Sequence, residues 1–137
     1  MVRTMSEAAH TGSCLCGGVS YEVRGEFRPV SYCHCEQCRK TSGNFVGATA
    51  CEVDALHMLS EASLTWYRAS DTARRGFCNV CGGNVFWAPD HRNYISIFAG
   101  TVDMPTGLVA ENHIYVADKA DYVDIGDGLP QFPQNDI

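Results

Sequence analysis

No stretch of the chain approaches the roughly 18 consecutive apolar residues of a membrane helix, which excludes a helical membrane protein. Basic residues are scarce: 10 Lys and Arg stand against 16 Asp and Glu, for a formal net charge of -6. No cluster of Lys and Arg is large enough to displace counterions from a phosphate backbone, so nucleic acid is not an expected partner. Sustained amphipathic helical repeats are also missing, and helix should be minor. The segment Met1 to Gly12 (MVRTMSEAAHTG) lacks the apolar centre of a secretory leader. That predicts a cytoplasmic destination in which thiols stay reduced.

Cysteine is abundant by contrast. Seven of the 8 fall into three tight groups, Cys14-Leu15-Cys16, Cys33-His34-Cys35-Glu36-Gln37-Cys38 and Cys78-Asn79-Val80-Cys81. Cysteines one or two residues apart are badly placed to bridge each other, and in a reducing compartment such groups hold metal or carry redox chemistry. Two pairs can close one four-thiolate zinc site, although four thiolates also suit an iron-sulfur cluster. The triplet offers three thiolates and no obvious fourth, the ligand count of a metal left open for chemistry.

At 137 residues the chain suits one compact domain. Val19, Tyr21 and Val23 alternate with polar residues, which predicts a half-buried strand after the Gly17-Gly18 bend. Further strands are expected at Phe45–Val53, Leu64–Arg68, Gly76–Cys78, Asn84–Trp87, Tyr94–Ala99 and His113–Val116. Their short, regular spacing favours antiparallel sheets. Short helical turns are expected at Ala55–Ala62 and Glu36–Thr41. Trp66, Tyr67, Phe86 and Trp87 are expected in the core, with an edge free to line a pocket.

Local backbone rules suggest how the sulfurs converge. In an extended segment residues i and i+2 share a face, so Cys14 and Cys16 form a strand-borne chelate with Leu15 turned away. Cys78 and Cys81, followed by Gly82-Gly83, have the spacing of a zinc knuckle. The two pairs either share one ion, tying distant segments together, or hold separate ions. The triplet is either open to a substrate or closed by a fourth ligand from His34, His57, His91, His113 or Cys51. Cys51, in a strand-like segment, is expected to be buried and inert.

The segments GSCLCGGV from Gly12, CHCEQCRKTSG from Cys33 and RGFCNVCG from Arg75 together resemble the glutathione-dependent formaldehyde-activating (GFA/CENP-V) family. So does Asn112-His113-Ile114-Tyr115-Val116, with Lys119 and Tyr122. The resemblance implies a mainly β fold of antiparallel sheets of the Mss4-like (β-tent) type, in a single zinc-stabilised domain over residues 12–125. Residues 1–11 are expected to form a flexible N-terminus, and 126–137, with two prolines, two glycines and few anchors, a surface-hugging or mobile tail. The resemblance also implies two zinc ions, a structural one on Cys14, Cys16, Cys78 and Cys81 and a catalytic one on Cys33, Cys35 and Cys38. The implied activity is that of a carbon-sulfur lyase joining glutathione to formaldehyde as S-hydroxymethylglutathione, with the substrate itself as the missing ligand. Arg39, Lys40, Arg74 and Arg75 are candidates for the carboxylates of such a thiol, with surface charge as the plainer role. His34 is either a group supporting the ligands or an exposed side chain. A second reading is a non-catalytic zinc module that binds protein partners. The oligomeric state is not legible.

Overall fold

The structure is a computed structural model that describes residues 10–135. Ten strands and one short helix make up most of it: β1 (His10–Ser13), β2 (Ser20–Val23), β3 (Val30–Cys33), α1 (Glu36–Ser42), β4 (Val46–Glu52), β5 (Leu56–Ser60), β6 (Leu64–Arg68), β7 (Ala73–Cys78), β8 (Asn84–Pro89), β9 (Tyr94–Phe98) and β10 (Ala110–Ile114). They form a three-stranded sheet, β1-β2-β5, and a seven-stranded sheet, β10-β3-β4-β9-β8-β7-β6. The mainly β reading holds. No helix among the described residues is long and apolar enough to cross a membrane.

Neighbouring strands are antiparallel with one departure from the expected pattern, because β10 pairs with β3 in parallel. The chain returns from β9 to the start of β3 before β10 begins, where the Val30 amide donates to the Val109 carbonyl at 2.7 Å. It therefore enters β10 running in the direction of β3.

The helical turn expected at Ala55–Ala62 is not formed. A 3-10 turn at Val53–Ala55 is followed by β5, which pairs antiparallel with β2 through Tyr21 opposite Met58 and Val23 opposite Leu56. Partnering with β2 buries alternate side chains of a segment whose local preference is weak, and tertiary context overrides propensity. Two strands, β1 and β3, were not anticipated; each is only four residues long and interrupted by polar side chains.

Period-two alternation decides what faces what. The core gathers Val19, just before β2, and Tyr21 and Val23 of the small sheet against Val85, Phe86, Ile95 and Ile97 from the large one. On β9 Tyr94, Ser96 and Phe98 project to the opposite face, where they line a cavity. On β8 a bulge at Val85 breaks the alternation, so Val85 and Phe86 both face the core and Trp87 joins the cavity side. Trp87 thus lies outside the expected core. Tyr67, 61% exposed, does too, because it points away from the side on which its neighbour Trp66 packs.

Of the N-terminal segment 1–11, residues 1–9 lie outside the described residues, and His10 and Thr11 belong to β1. The tail is stitched to β10: His113 donates its amide to the Pro130 carbonyl, and Phe132 donates to the His113 carbonyl, both at 2.9 Å.

Candidate metal centres and the cavity

Four sulfurs, those of Cys14, Cys16, Cys78 and Cys81, lie within 4.8 Å of one another. The Cys14-Leu15-Cys16 chelate is not strand-borne as expected. Cys14 follows the end of β1, and Leu15 and Cys16 lie in the turn that leads to β2, where the Gly17 amide donates to the Cys14 carbonyl at 3.3 Å. Gly17 takes a φ of 83°, a conformation glycine adopts without penalty. Leu15 turns outward, 93% exposed.

The second pair sits on a tight knuckle after β7. Amides of Val80 and Cys81 both donate to the Cys78 sulfur at 3.3 Å, and Gly82, with φ of 79°, closes the turn. Ser63 reaches the same sulfur at 3.1 Å. The Cys81 amide, the Ser63 hydroxyl and the Val80 amide hold the Cys78 thiol down to about 5. Converging donors of this kind stabilise thiolate, the form that binds metal. Cys16 and Cys78 sulfurs are 3.5 Å apart, close to the roughly 3.8 Å edge that a tetrahedron of metal-sulfur bonds about 2.3 Å long requires. The donor set fits one thiophilic ion.

The triplet forms a second group, its three sulfurs also within 4.8 Å of one another. Cys33 ends β3, and Cys35 is the N-cap of α1, its sulfur accepting from the Cys38 amide at 3.3 Å. A single helical turn therefore carries Cys38 back beside Cys35. Gly43, in the left-handed conformation, terminates α1 by donating to the Arg39 carbonyl. Cys33 and Cys38 donate to Cys35 and hold its thiol down to about 2, while the same sharing pushes Cys33 up. These three sulfurs suit one metal as well.

None of the candidate fourth ligands joins this group among the described residues. His57 and His91 are exposed on the surface, and Cys51 is buried in β4, where desolvation pushes its thiol up to about 11. His34 is buried rather than exposed. Its Nε2 meets His113 Nδ1 at 2.8 Å, and His113 Nε2 meets Asp127 Oδ2 at 2.7 Å. The His34 ring stacks on Phe45 with centroids 4.6 Å apart, and burial lowers its affinity for a proton. A chain of contacts thus runs from the residue between two cysteines of the triplet to the tail.

Beside the triplet opens a cavity of about 320 Å³ on the outer face of the large sheet. Cys33, Cys35 and Cys38 line one side, with Arg75, Trp87 and Phe98 among its other walls. Arg75, three residues before the knuckle, is not surface charge: it is 4% exposed. Its Nε donates to Gln37 Oε1 at 2.7 Å, Nη1 to Thr41 Oγ1 at 3.5 Å and Nη2 to the Cys38 sulfur at 3.4 Å. It links β7 to α1 and gives one sulfur a cationic partner. Arg74 instead stacks over Trp66 at 3.9 Å, and Lys40 pairs with Glu36 at 3.7 Å on the exposed face of α1. Neither lines the cavity, nor does Arg39. Lys119 donates to the Val123 carbonyl at 2.6 Å, bracing the loop after β10, and Tyr122 is exposed.

Sequence reasoning missed Arg28, Ser31 and Ser96 as cavity residues. Ser31 shares with Cys33 the period-two face of β3, a signal that appears only once the strand is recognised. Arg28 gave none, because it lies in an irregular segment before β3.

Comparison with known proteins places the chain in a family and a fold. A Schizosaccharomyces pombe protein described as an uncharacterized lyase is 24% identical over 129 residues, covering 93% of each chain. The crystal structure of a Rhodobacter sphaeroides protein superposes with a TM-score of 0.57 at 22% identity, covering 89% of this chain and 98% of that one, and so shares the fold. Residues 9–118, with all seven clustered cysteines among them, match the glutathione-dependent formaldehyde-activating enzyme family, to which this chain belongs.

Proposed function

We propose that the chain is a zinc-dependent enzyme of the carbon-sulfur lyase type acting on a thiol-aldehyde adduct, with glutathione and formaldehyde as the pair. In the forming direction the thiol sulfur bonds to the aldehyde carbon, the carbonyl electron pair moves to oxygen, and the thiol proton ends on that oxygen. The reverse reaction breaks the same carbon-sulfur bond. One observation carries this reading: three cysteine sulfurs converge on the wall of a 320 Å³ cavity, and no fourth side chain of the described residues joins them.

Cys33, Cys35 and Cys38 would hold one zinc ion, and Cys14, Cys16, Cys78 and Cys81 a second that ties β1 to the knuckle after β7. Bound at the triplet, zinc supplies Lewis acidity that lowers a thiol pKa or polarises an aldehyde oxygen. The chain's own side chains provide the setting. Arg75 fixes Cys38 and offsets its charge, while Trp87, Phe98 and Val46 keep the site partly dry, which strengthens polar interactions inside it. With a substrate sulfur as the attacking atom, no nucleophile from the protein is required.

Metal analysis of the purified chain, together with NMR of glutathione and formaldehyde at catalytic protein concentration, tests this function. Two zinc ions per chain and accelerated adduct formation are expected. Two ions with neither acceleration nor thiol binding would replace the enzyme with a non-catalytic zinc module.

A further inference from the structure

The cavity is electrostatically unlike the rest of the chain. Overall charge is -6, yet the lining contains two guanidinium groups, Arg28 and Arg75, and no Asp or Glu among the described residues. The two cations are not equivalent. Arg75 is committed to Gln37, Thr41 and the Cys38 sulfur. Arg28 has one long bond, from Nη2 to the Ala48 carbonyl at 3.4 Å, and its Nε is buried with no partner. No ion pair among the described residues involves it.

A second buried polar group faces the same space without a partner. Ser31 is 2% exposed, lines the cavity, and its hydroxyl makes no hydrogen bond. It stands two residues from Cys33 on one face of β3, about 7 Å along the strand. Buried polar groups are normally satisfied, and those left over in a cavity mark where a ligand supplies the complement. A guanidinium's planar fork matches a carboxylate, and apolar walls such as Phe98 and Trp87 strengthen that pairing.

The size of the space narrows the ligand. Formaldehyde alone would leave most of 320 Å³ unfilled, whereas a thiol of tripeptide size is of the scale such cavities take. Resting on the thiol-aldehyde reading above, we infer that Arg28, with Ser31 in the same cavity lining, is the carboxylate-binding subsite of the cavity and selects an anionic, peptide-sized thiol over a small or neutral one. Arg39, Lys40 and Arg74 have no part in it.

The test is calorimetric titration of the zinc-loaded protein with S-methylglutathione, which keeps both carboxylates but cannot offer a thiolate, and with its diethyl ester. The wild type should bind the acid at least about tenfold more tightly than the ester, the scale of one charge-assisted contact. Arg28→Gln should lose most of that ratio and Arg28→Lys retain part of it, with far-UV circular dichroism checking the fold. Should Arg28→Gln fail to fold, the reduced ratio in Arg28→Lys carries the test. An equal ratio in the wild type and a folded variant, or no preference in the wild type, overturns the subsite. Adduct formation by NMR separates this from the reading it rests on. Catalysis with no acid preference removes Arg28 and keeps the enzyme, whereas an Arg28-dependent preference without catalysis keeps the subsite and removes the reaction.

Discussion

His34 and His113 share a hydrogen bond of 2.8 Å between Nε2 and Nδ1, although 79 residues separate them. His34 lies between two cysteines of the triplet, and His113 passes the contact on to Asp127 at 2.7 Å. The loop that bears the sulfurs is therefore braced from behind by β10 and the tail. His113→Ala would leave His34 buried without this partner, at a cost of about 1–3 kcal/mol. Urea denaturation should show the loss; a variant as stable as the wild type would mean the brace is slack.

The same contact predicts a pH dependence. The hydrogen bond from His113, aided by the Leu129 amide, holds the Asp127 carboxyl below the usual carboxylate range. A depressed acid contributes stability that is complete above its unfolded pKa of about 3.9 and is lost as pH falls through the folded value. Asp127→Asn should therefore be less stable than the wild type near neutrality, and the gap should narrow on acidification below about pH 4. Denaturation midpoints at two pH values decide it, since a constant gap would contradict the linkage.

Arg75 reaches the Cys38 sulfur at 3.4 Å while holding Gln37 and Thr41 of α1. Groups that orient metal ligands typically change metal affinity or activity about 10–100-fold when altered. Arg75→Gln should weaken metal retention at the triplet by that factor and leave the Cys14, Cys16, Cys78, Cys81 group loaded. Competition with a chromogenic zinc chelator, counting ions released, reads this directly.

The two cysteine groups should answer differently to loss of one sulfur. Cys78 is fully buried and joins the knuckle to β1, so Cys78→Ser should unfold the chain or lower its melting temperature sharply. Cys35→Ser should lose one metal equivalent and remain folded, because its group closes only a local turn. Circular dichroism with metal analysis distinguishes them. Collapse of both variants would remove the division of roles.

Cys51 offers a control on the remaining thiol. Burial in β4 leaves it 5% exposed and pushes its thiol up to about 11, so it lacks both access and thiolate. Alkylation of the native protein near pH 8 should spare it, while the urea-unfolded chain reacts. Peptide mapping that finds Cys51 modified at the native stage would place it nearer the surface than β4 allows.

Much of this molecule is legible from local spacing. Two residues between Cys78 and Cys81 and a following Gly82 at positive φ need only a tight turn, and the fold provides one. Strand β6 begins and ends where its strand-favouring residues and the flanking turn residues placed it, at Leu64 and Arg68. The segment after Val53 failed for the opposite reason. Its own preference was weak, and pairing with β2 made it a strand.

Backbone geometry within a few residues is encoded by those residues, so the sequence by itself determined the mainly β character and the clustered sulfurs. Which clusters meet, and what surrounds them, depended on contacts between distant segments. Only the tertiary structure brought Arg75 onto Cys38, put His113 behind His34 and turned Arg28 toward the cavity. Such pairings follow from sheet order and strand face, and no local spacing records them.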